Sequence, residues 1–355
     1  MAFLEFKNVR ISGISAGVPK HIEYNKDYPY FEAGEAEKYI ASTSIRERRI
    51  ADPGVCSSDL CYSAAERLIE DLGWDKSEIE CLLFVSQTAD YILPATACIL
   101  QERLGLPESC YAMDISLGCS GWVYGLSVIT SLLSTGQIKK GLLLSGEICH
   151  LQSSPLDKSA YPLFGDAGTA TALEYQVGYE PVRFYFSTDG SGYEAIIIRD
   201  GGYRHPFDNQ SLDVYTTPEG LRRTRLNTEM DGMSVFSFGI TKAPQSFNLL
   251  MERFSLDRES LDYFVMHQAN YFMNNKIRKK LKLPEEKVPY SMPLFGNTSS
   301  ASIPLTLVTA CSLRTRRSKI AVCGFGVGLS WGTGYFELDE NVVTVSYTHL
   351  TLPTT

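Results

Sequence analysis

Tyr111-Ala-Met-Asp-Ile-Ser-Leu-Gly-Cys-Ser-Gly-Trp-Val-Tyr-Gly-Leu126 is the stretch from which the rest of the chain can be read. Its first half, Tyr111 to Ser116, reads as a short buried strand, and its second, from Trp122 through Val128 to Leu133, as a helix packed on a sheet. Between them, Leu117-Gly-Cys-Ser-Gly121 puts Cys119 in a tight strand-to-helix turn among small residues. There, free N–H groups and the positive end of the helix dipole favour the thiolate, the nucleophilic form. The dipole contributes about 0.3–1 kcal/mol, so it moves a thiol pKa of about 8.5 by a unit or so, and a nucleophilic Cys119 needs a base. By default a lone cysteine in such a turn is a small buried hydrophobe. The functional reading depends on its company.

Composition bounds the answer. The 355 residues have room for two halves of roughly 100–200 residues each. With 44% hydrophobic and 21% charged residues, the chain is an ordinary folded protein with a large core. A net charge of −8 argues against broad nucleic-acid binding. The 9 cysteines are odd in number and have no zinc-type spacing, which predicts reduced thiols and a cytoplasmic protein. The N-terminus lacks the apolar core of a signal peptide, and no apolar run approaches the length of a membrane span.

Taken in order, Val9–Ser15 reads as a strand, Glu35–Thr43 as a helix, Ser58–Leu72 as a helix closed by Gly73, and Ile79–Ser86 as a covered strand. Ser44-Ile-Arg-Glu-Arg-Arg-Ile50 reads as a solvated basic face. Ala95–Leu104 is a further helix, Lys140–Gly146 a buried strand, and Phe164–Leu173 a glycine-rich turn entering an apolar segment. This alternation implies a parallel sheet with helices on its faces. The second half repeats the grammar: strand at Ile196–Ile198, helix at Met233–Phe254, strand at Leu261–Met266, helix at Phe272–Leu283, helix at Ala301–Leu313, and strands at Lys319–Gly324 and Gly334–Leu338. Covered strands ending in polar loops, Leu82–Gln87 and Tyr263–Gln268, point to an internal duplication. The division expected is 1–175, 176–340, and a threonine-rich tail, 341–355, that fits no element and reads as non-native. Gly201–Asp231 reads as a functional lid or flexible insert whose arginines 222, 223 and 225 are solvated.

His267 ends a predicted buried strand, the usual place for chemistry in open α/β sheets. Asn297 stands in Leu294-Phe-Gly-Asn-Thr-Ser-Ser-Ala-Ser-Ile-Pro304, where an asparagine is by default a turn residue or cap. Together Cys119, His267 and Asn297 offer a nucleophile, a proton-handling or oxyanion-binding imidazole, and an oxyanion-binding amide.

Six stretches, Ile45–Ile50, Asp114–Gly121, Phe164–Gly168, His267–Asn270, Gly296–Ser302 and Gly326–Gly332, resemble in content and order a β-ketoacyl-acyl-carrier-protein synthase III of the thiolase superfamily. The resemblance spans roughly residues 5 to 338. It implies a thiolase-like five-layered αβαβα fold with two pseudo-duplicated halves, a homodimer, and Cys119, His267 and Asn297 as the triad. It also implies Cys119 and Gly328 as backbone oxyanion donors. The substrates implied are coenzyme A or phosphopantetheine thioesters, with no cofactor and no metal, and acyl-carrier protein is the partner. The basic helix face of Lys276, Arg278, Lys279 and Lys280 (with Lys282) matches the family's carrier-docking helix. Leu93 stands where the family closes the partner subunit's acyl pocket with an aromatic residue. Four positions that grip coenzyme A in well-known members hold Lys38, Ser42, Ser237 and Phe272, which points to a carrier-bound donor.

The expected reaction is decarboxylating condensation of a Cys-bound acyl group with a malonyl thioester, in fatty-acid initiation or a related lipid or secondary-metabolite pathway. An amide suits an enolate where a carboxylate would repel it, so Asn297 favours condensation over the alternative, acyl transfer to an alcohol or amine. A non-catalytic partner subunit would need a damaged triad, and the ordered motifs do not fit a cysteine protease.

Overall fold

The structure is a computed structural model that describes residues 2–313 and 316–349. Eleven strands form its two main sheets: β1 (Ala2–Phe6), β2 (Val9–Val18), β3 (Cys81–Val85), β4 (Tyr111–Ile115), β5 (Lys140–Glu147), β6 (Ala167–Tyr175), β7 (Val182–Thr188), β8 (Tyr263–Met266), β9 (Ser318–Gly326), β10 (Ser330–Leu338) and β11 (Val343–His349). The principal helices are α1 (Glu35–Thr43), α2 (Ser57–Leu72), α3 (Thr96–Arg103), α4 (Gly121–Ser134), α5 (Gly232–Arg253), α6 (Tyr271–Leu281) and α7 (Ser302–Ala310).

The first sheet runs β11-β2-β6-β5-β3-β4 and the second β1-β7-β10-β9-β8. In each, four strands taken in chain order lie first, fourth, third, second: β2-β6-β5-β3 and β7-β10-β9-β8. The directions agree too, antiparallel, antiparallel, then parallel. This is the duplication that the sequence points to, and β3 and β8, the two covered strands with polar ends, are counterparts. The expectation of a parallel sheet is corrected to two mixed sheets. The adjacent β5 and β6 are antiparallel and joined by residues 148–166, which hold two 3-10 turns and no crossover helix, an arrangement a βαβ reading does not foresee.

Three apolar layers hold the sheets and helices together. Val123, Leu126 and Ile129 of α4 and Ile303 and Leu307 of α7 pack between the sheets. Leu68 of α2 and Leu100 of α3 cover the outer face of the first sheet. Phe247 of α5 and Ile277 of α6 cover that of the second. The order is helix, sheet, helix, sheet, helix, the five-layered αβαβα class expected. Among the described residues, no helix is long and apolar enough to cross a membrane.

Several expectations are corrected. Ile196–Ile197 is a two-residue strand paired with Glu229–Met230, outside both main sheets. The strand that opens the second sheet's repeat is β7, whose Val182, Phe184 and Phe186 are buried. The tail does carry an element: β11 runs parallel to β2, pairing Val343 with Gly13 and Thr344 with Ile14. It therefore closes an edge of the first half's sheet, while β1 closes an edge of the second half's. Residues 350–355 lie outside the described residues. The arginine run is not a solvated face. Arg48 is 1% exposed and donates to Asn25 Oδ1, the carbonyls of Tyr161 and Phe164, and Glu23. The 201–231 segment is folded and pinned by charge: Arg225 pairs with Asp200 at 2.9 Å and Arg223 with Asp157 at 3.5 Å.

Candidate active site

Cys119 stands in the turn between β4 and α4, as its neighbours predict, and His267 follows β8 directly. Asn297 is set by the segment after Met292–Phe295, where it forms an isolated parallel bridge with Phe164. The His267-Gln-Ala-Asn270 motif has a separate task for each polar residue. Gln268 donates to the carbonyl of Met266 and accepts from the N–H of Ser291, tying β8 to the 291 turn. Asn270 caps α6, accepting from the Met273 N–H at 2.9 Å.

All three expected residues line one cavity of about 880 Å³. Its walls are largely apolar, with Leu163, Ile196, Met230 and Phe236 among them. The folded insert contributes Gly202, Thr228 and Met230 to this lining, beside Asp200 just before it. The Cys119 sulfur is packed against Gly326, where a Cβ would come within 2.9 Å of it, so any larger residue there would push the nucleophile away. The 3.7 Å neighbour of the sulfur is the Ser299 hydroxyl.

Burial pushes the Cys119 thiol up to about 11, opposed by the Ser299 hydroxyl and by the backbone N–H groups of Cys119 itself and of Val327. The resting nucleophile is a thiol, and the helix N-terminus does not by itself make a thiolate. His267 is buried and driven down to about 3 by loss of solvation, so its imidazole is neutral. Its Nδ1 lies 2.8 Å from Ser302 Oγ. Ser302 sends its hydroxyl proton to the carbonyl of Ser299, 2.7 Å away, and accepts from the Gln268 N–H. The oxygen therefore faces the ring as an acceptor, which puts the imidazole hydrogen on Nδ1 and leaves Nε2 unprotonated. Asn297 Oδ1 accepts from the Ser299 N–H at 2.9 Å, so its NH₂ is the group left to meet a ligand.

The remaining expected positions fall as follows. The backbone N–H of Val327, which lines the cavity, is at the Cys119 sulfur; the next residue, Gly328, expected as a backbone oxyanion donor, holds the turn at φ +136, where a Cβ would lie 3.0 Å from Ser330 N. Leu93 does not line this chain's cavity but is 75% exposed on a surface loop beside Ile92. On α6, Lys276 and Lys279 are exposed. Lys280 is exposed as well and reaches the Ile240 carbonyl, while the half-buried Arg278 turns to Asn275 Oδ1 and the Leu283 carbonyl. At the mouth, Phe272 stacks on Phe236, centroids 5.3 Å apart, with Lys276 over its ring.

A thiol, a neutral imidazole with a free nitrogen, and an oriented amide in one apolar cavity can take up an acyl group and hold an enolate. Residues 113–190 match the 3-oxoacyl-[acyl-carrier-protein (ACP)] synthase III family, and residues 251–338 match its C-terminal family. The chain is 33% identical over 347 residues to the β-ketoacyl-[acyl-carrier-protein] synthase III of Rhodopirellula baltica, covering 93% of this chain and 99% of that protein. The chain belongs to the β-ketoacyl-acyl-carrier-protein synthase III family. A crystal structure of a 3-oxoacyl-(acyl-carrier protein) synthase from Burkholderia xenovorans superposes on this synthase with a TM-score of 0.91 at 36% identity, covering 98% of this chain and 99% of that one. The priming β-ketosynthase of the R1128 polyketide pathway gives 0.80 at 25% identity, over 94% and 97% of the two chains.

Sequence reasoning missed Ser299, Ser302, Val327 and Glu147. Glu147 is fully buried near Cys119, pushed up to about 7 by burial, and gathers the Gln87 N–H and the hydroxyls of Ser86, Thr88 and Ser300. The one signal for the serines is their clustering in Asn297-Thr-Ser-Ser-Ala-Ser302.

Proposed function

We propose that this synthase joins an acyl group carried on Cys119 to a malonyl-acyl-carrier protein with loss of CO₂, giving a 3-oxoacyl thioester in fatty-acid initiation. The observation that carries the assignment of roles is the orientation of Asn297, whose oxygen is occupied by Ser299 and whose NH₂ is free to donate.

In the first half-reaction the Cys119 sulfur attacks the acyl thioester carbonyl. Its proton passes to the unprotonated Nε2 of His267 and on to the departing thiolate, so that a neutral thiol leaves. The malonyl thioester then enters, and its carboxylate departs as CO₂. The electron pair left behind forms an enolate, whose oxygen is held by the Asn297 NH₂ and His267. For Nε2 to donate, the ring must carry its hydrogen there, and the Ser302 hydroxyl can serve that tautomer by turning from the Ser299 carbonyl to Nδ1. The enolate carbon attacks the acyl-Cys119 carbonyl. The acyl oxygen is met by the N–H groups of Cys119 and Val327, and the expelled Cys119 thiolate takes one proton from solvent, the proton that the decarboxylating condensation consumes overall. One donor of this kind is worth about 3–4 kcal/mol in the transition state.

No cofactor enters this scheme; the substrates are thioesters. The enzyme works as a cytoplasmic homodimer in this reading. Support for the dimer comes from Tyr91, Ile92 and Leu93, an apolar surface run 64%, 82% and 75% exposed, and from β4, an edge strand of its sheet. The exposed Lys276, Lys279 and Lys280 are the carrier-facing cations of this reading. The test is release of labelled CO₂ from malonyl-carrier protein with acyl-carrier and acyl-coenzyme A donors in parallel. Release that needs Cys119 supports condensation; an acylated Cys119 with no release from any donor overturns it.

A further inference from the structure

Ser299 sits where the three groups of the site meet. Its hydroxyl lies 3.7 Å from Cys119 Sγ. Its N–H donates to Asn297 Oδ1 at 2.9 Å. Its carbonyl accepts from Ser302 Oγ at 2.7 Å, and that oxygen lies 2.8 Å from His267 Nδ1. The residue takes φ +48, a left-handed conformation that a side-chain-bearing residue adopts at a cost and keeps only where its surroundings hold it. The hold is visible next door: Ser300 donates to Glu147 Oε1 at 3.1 Å, and that carboxylate is anchored from the other side by the Gln87 N–H and Thr88 Oγ1. A strained residue so braced, touching Cys119 and Asn297 directly and His267 through Ser302, is more than a spacer.

We propose that Ser299 is the positioning residue of this site: its peptide orients Asn297 and the Ser302–His267 pair, and its hydroxyl donates to the Cys119 sulfur as the thiolate forms. The inference rests on Cys119 being the nucleophile. A thiolate only accepts, so a hydroxyl free to turn onto it favours the charged form. That hydroxyl also works against the burial that keeps Cys119 protonated.

The test is alkylation of Cys119 by iodoacetamide, followed by mass spectrometry of its peptide across pH, in the wild type, Ser299→Ala and Ser299→Gly. Both variants lack the hydroxyl, so both should react about tenfold more slowly below the thiol pKa, the change that one pKa unit makes. Their rates should rise with pH in parallel with the wild type, displaced to higher pH. Should the alanine variant fail to fold, the glycine variant, whose backbone accepts φ +48 freely, decides. Wild-type rates in a folded variant overturn the proposal. So does slowing in alanine but not in glycine, since the glycine variant also lacks the hydroxyl and would show that the sulfur does not need it. Alkylation needs no carrier protein or malonyl thioester, so a shifted profile in an enzyme that releases no CO₂ would sink the condensation reading and leave this one standing.

Discussion

At the scale of single residues, burial sets both titrating members of the site against ionisation, Cys119 up to about 11 and His267 down to about 3. A thiol and a neutral imidazole coexist at neutral pH, with no resting ion pair. The rate of Cys119 acylation at low substrate should therefore show no acid limb near the ordinary histidine pKa of about 6.5. A limb there that vanishes in His267→Ala would contradict the neutral ring. The amide makes a second prediction. Asn297→Asp replaces an NH₂ donor with a carboxylate facing a developing enolate, so CO₂ release should fall about 10²–10³-fold while the acyl group still loads onto Cys119. Parallel mass and CO₂ assays separate the two steps. His267 was legible because it ends an apolar run, and Cys119 and Asn297 because their motifs, taken with it, resemble those of one family. Val327 was not, because it acts through a backbone N–H that its side chain does not advertise. Ser299 was not, because its meaning lies in φ +48 and in neighbours 180 residues away, such as Cys119.

Elements were legible where one period ran unbroken. The helices α1 and α2, with the Gly73 cap at φ +63, match the sequence reading to within a residue. β7 was passed over although Val182, Phe184 and Phe186 alternate, because Arg183 and the aromatic Tyr185 between them blur the pattern. The arginine run misled because a charged string is usually solvated, whereas Arg48 is a buried strut. It grips the carbonyl of Phe164, and Phe164 bridges Asn297. Arg48→Ala would strand several buried acceptors and Glu23, at a cost of about 3–5 kcal/mol. Urea unfolding should show this loss, and CO₂ release should fall with it through the displaced Asn297. A loss under about 1 kcal/mol would mean that water replaces the guanidinium. A milder break at α6, Asn270→Ala, removes one cap bond and should cost about 1 kcal/mol.

For the whole molecule, the duplication was legible in two covered strands, but the trade of edges was not: β1 and β11 each close the sheet of the other half. β11 pairs with β2 across the length of the chain and β1 with the mid-chain β7, so neither pairing leaves a local pattern. The halves also meet through Glu147, at the end of β5 in the first, which accepts from Ser300 in the second and from the Gln87 N–H and Thr88. Burial raises its pKa from 4.5 to about 7. A carboxyl raised on folding binds its proton more tightly in the native state. It therefore contributes stability that is full below its unfolded pKa and is lost as pH rises through about 7. The shift corresponds to roughly 3 kcal/mol. Urea unfolding of the wild type and of Glu147→Gln at about pH 5 and about pH 8 tests it, because the amide cannot ionise. The wild type should lose more stability than the variant over that interval, with the difference between the two curves bending near neutrality. Curves that run parallel would mean that Glu147 is charged throughout, its four donors outweighing its burial, and that the joint between the halves is indifferent to pH.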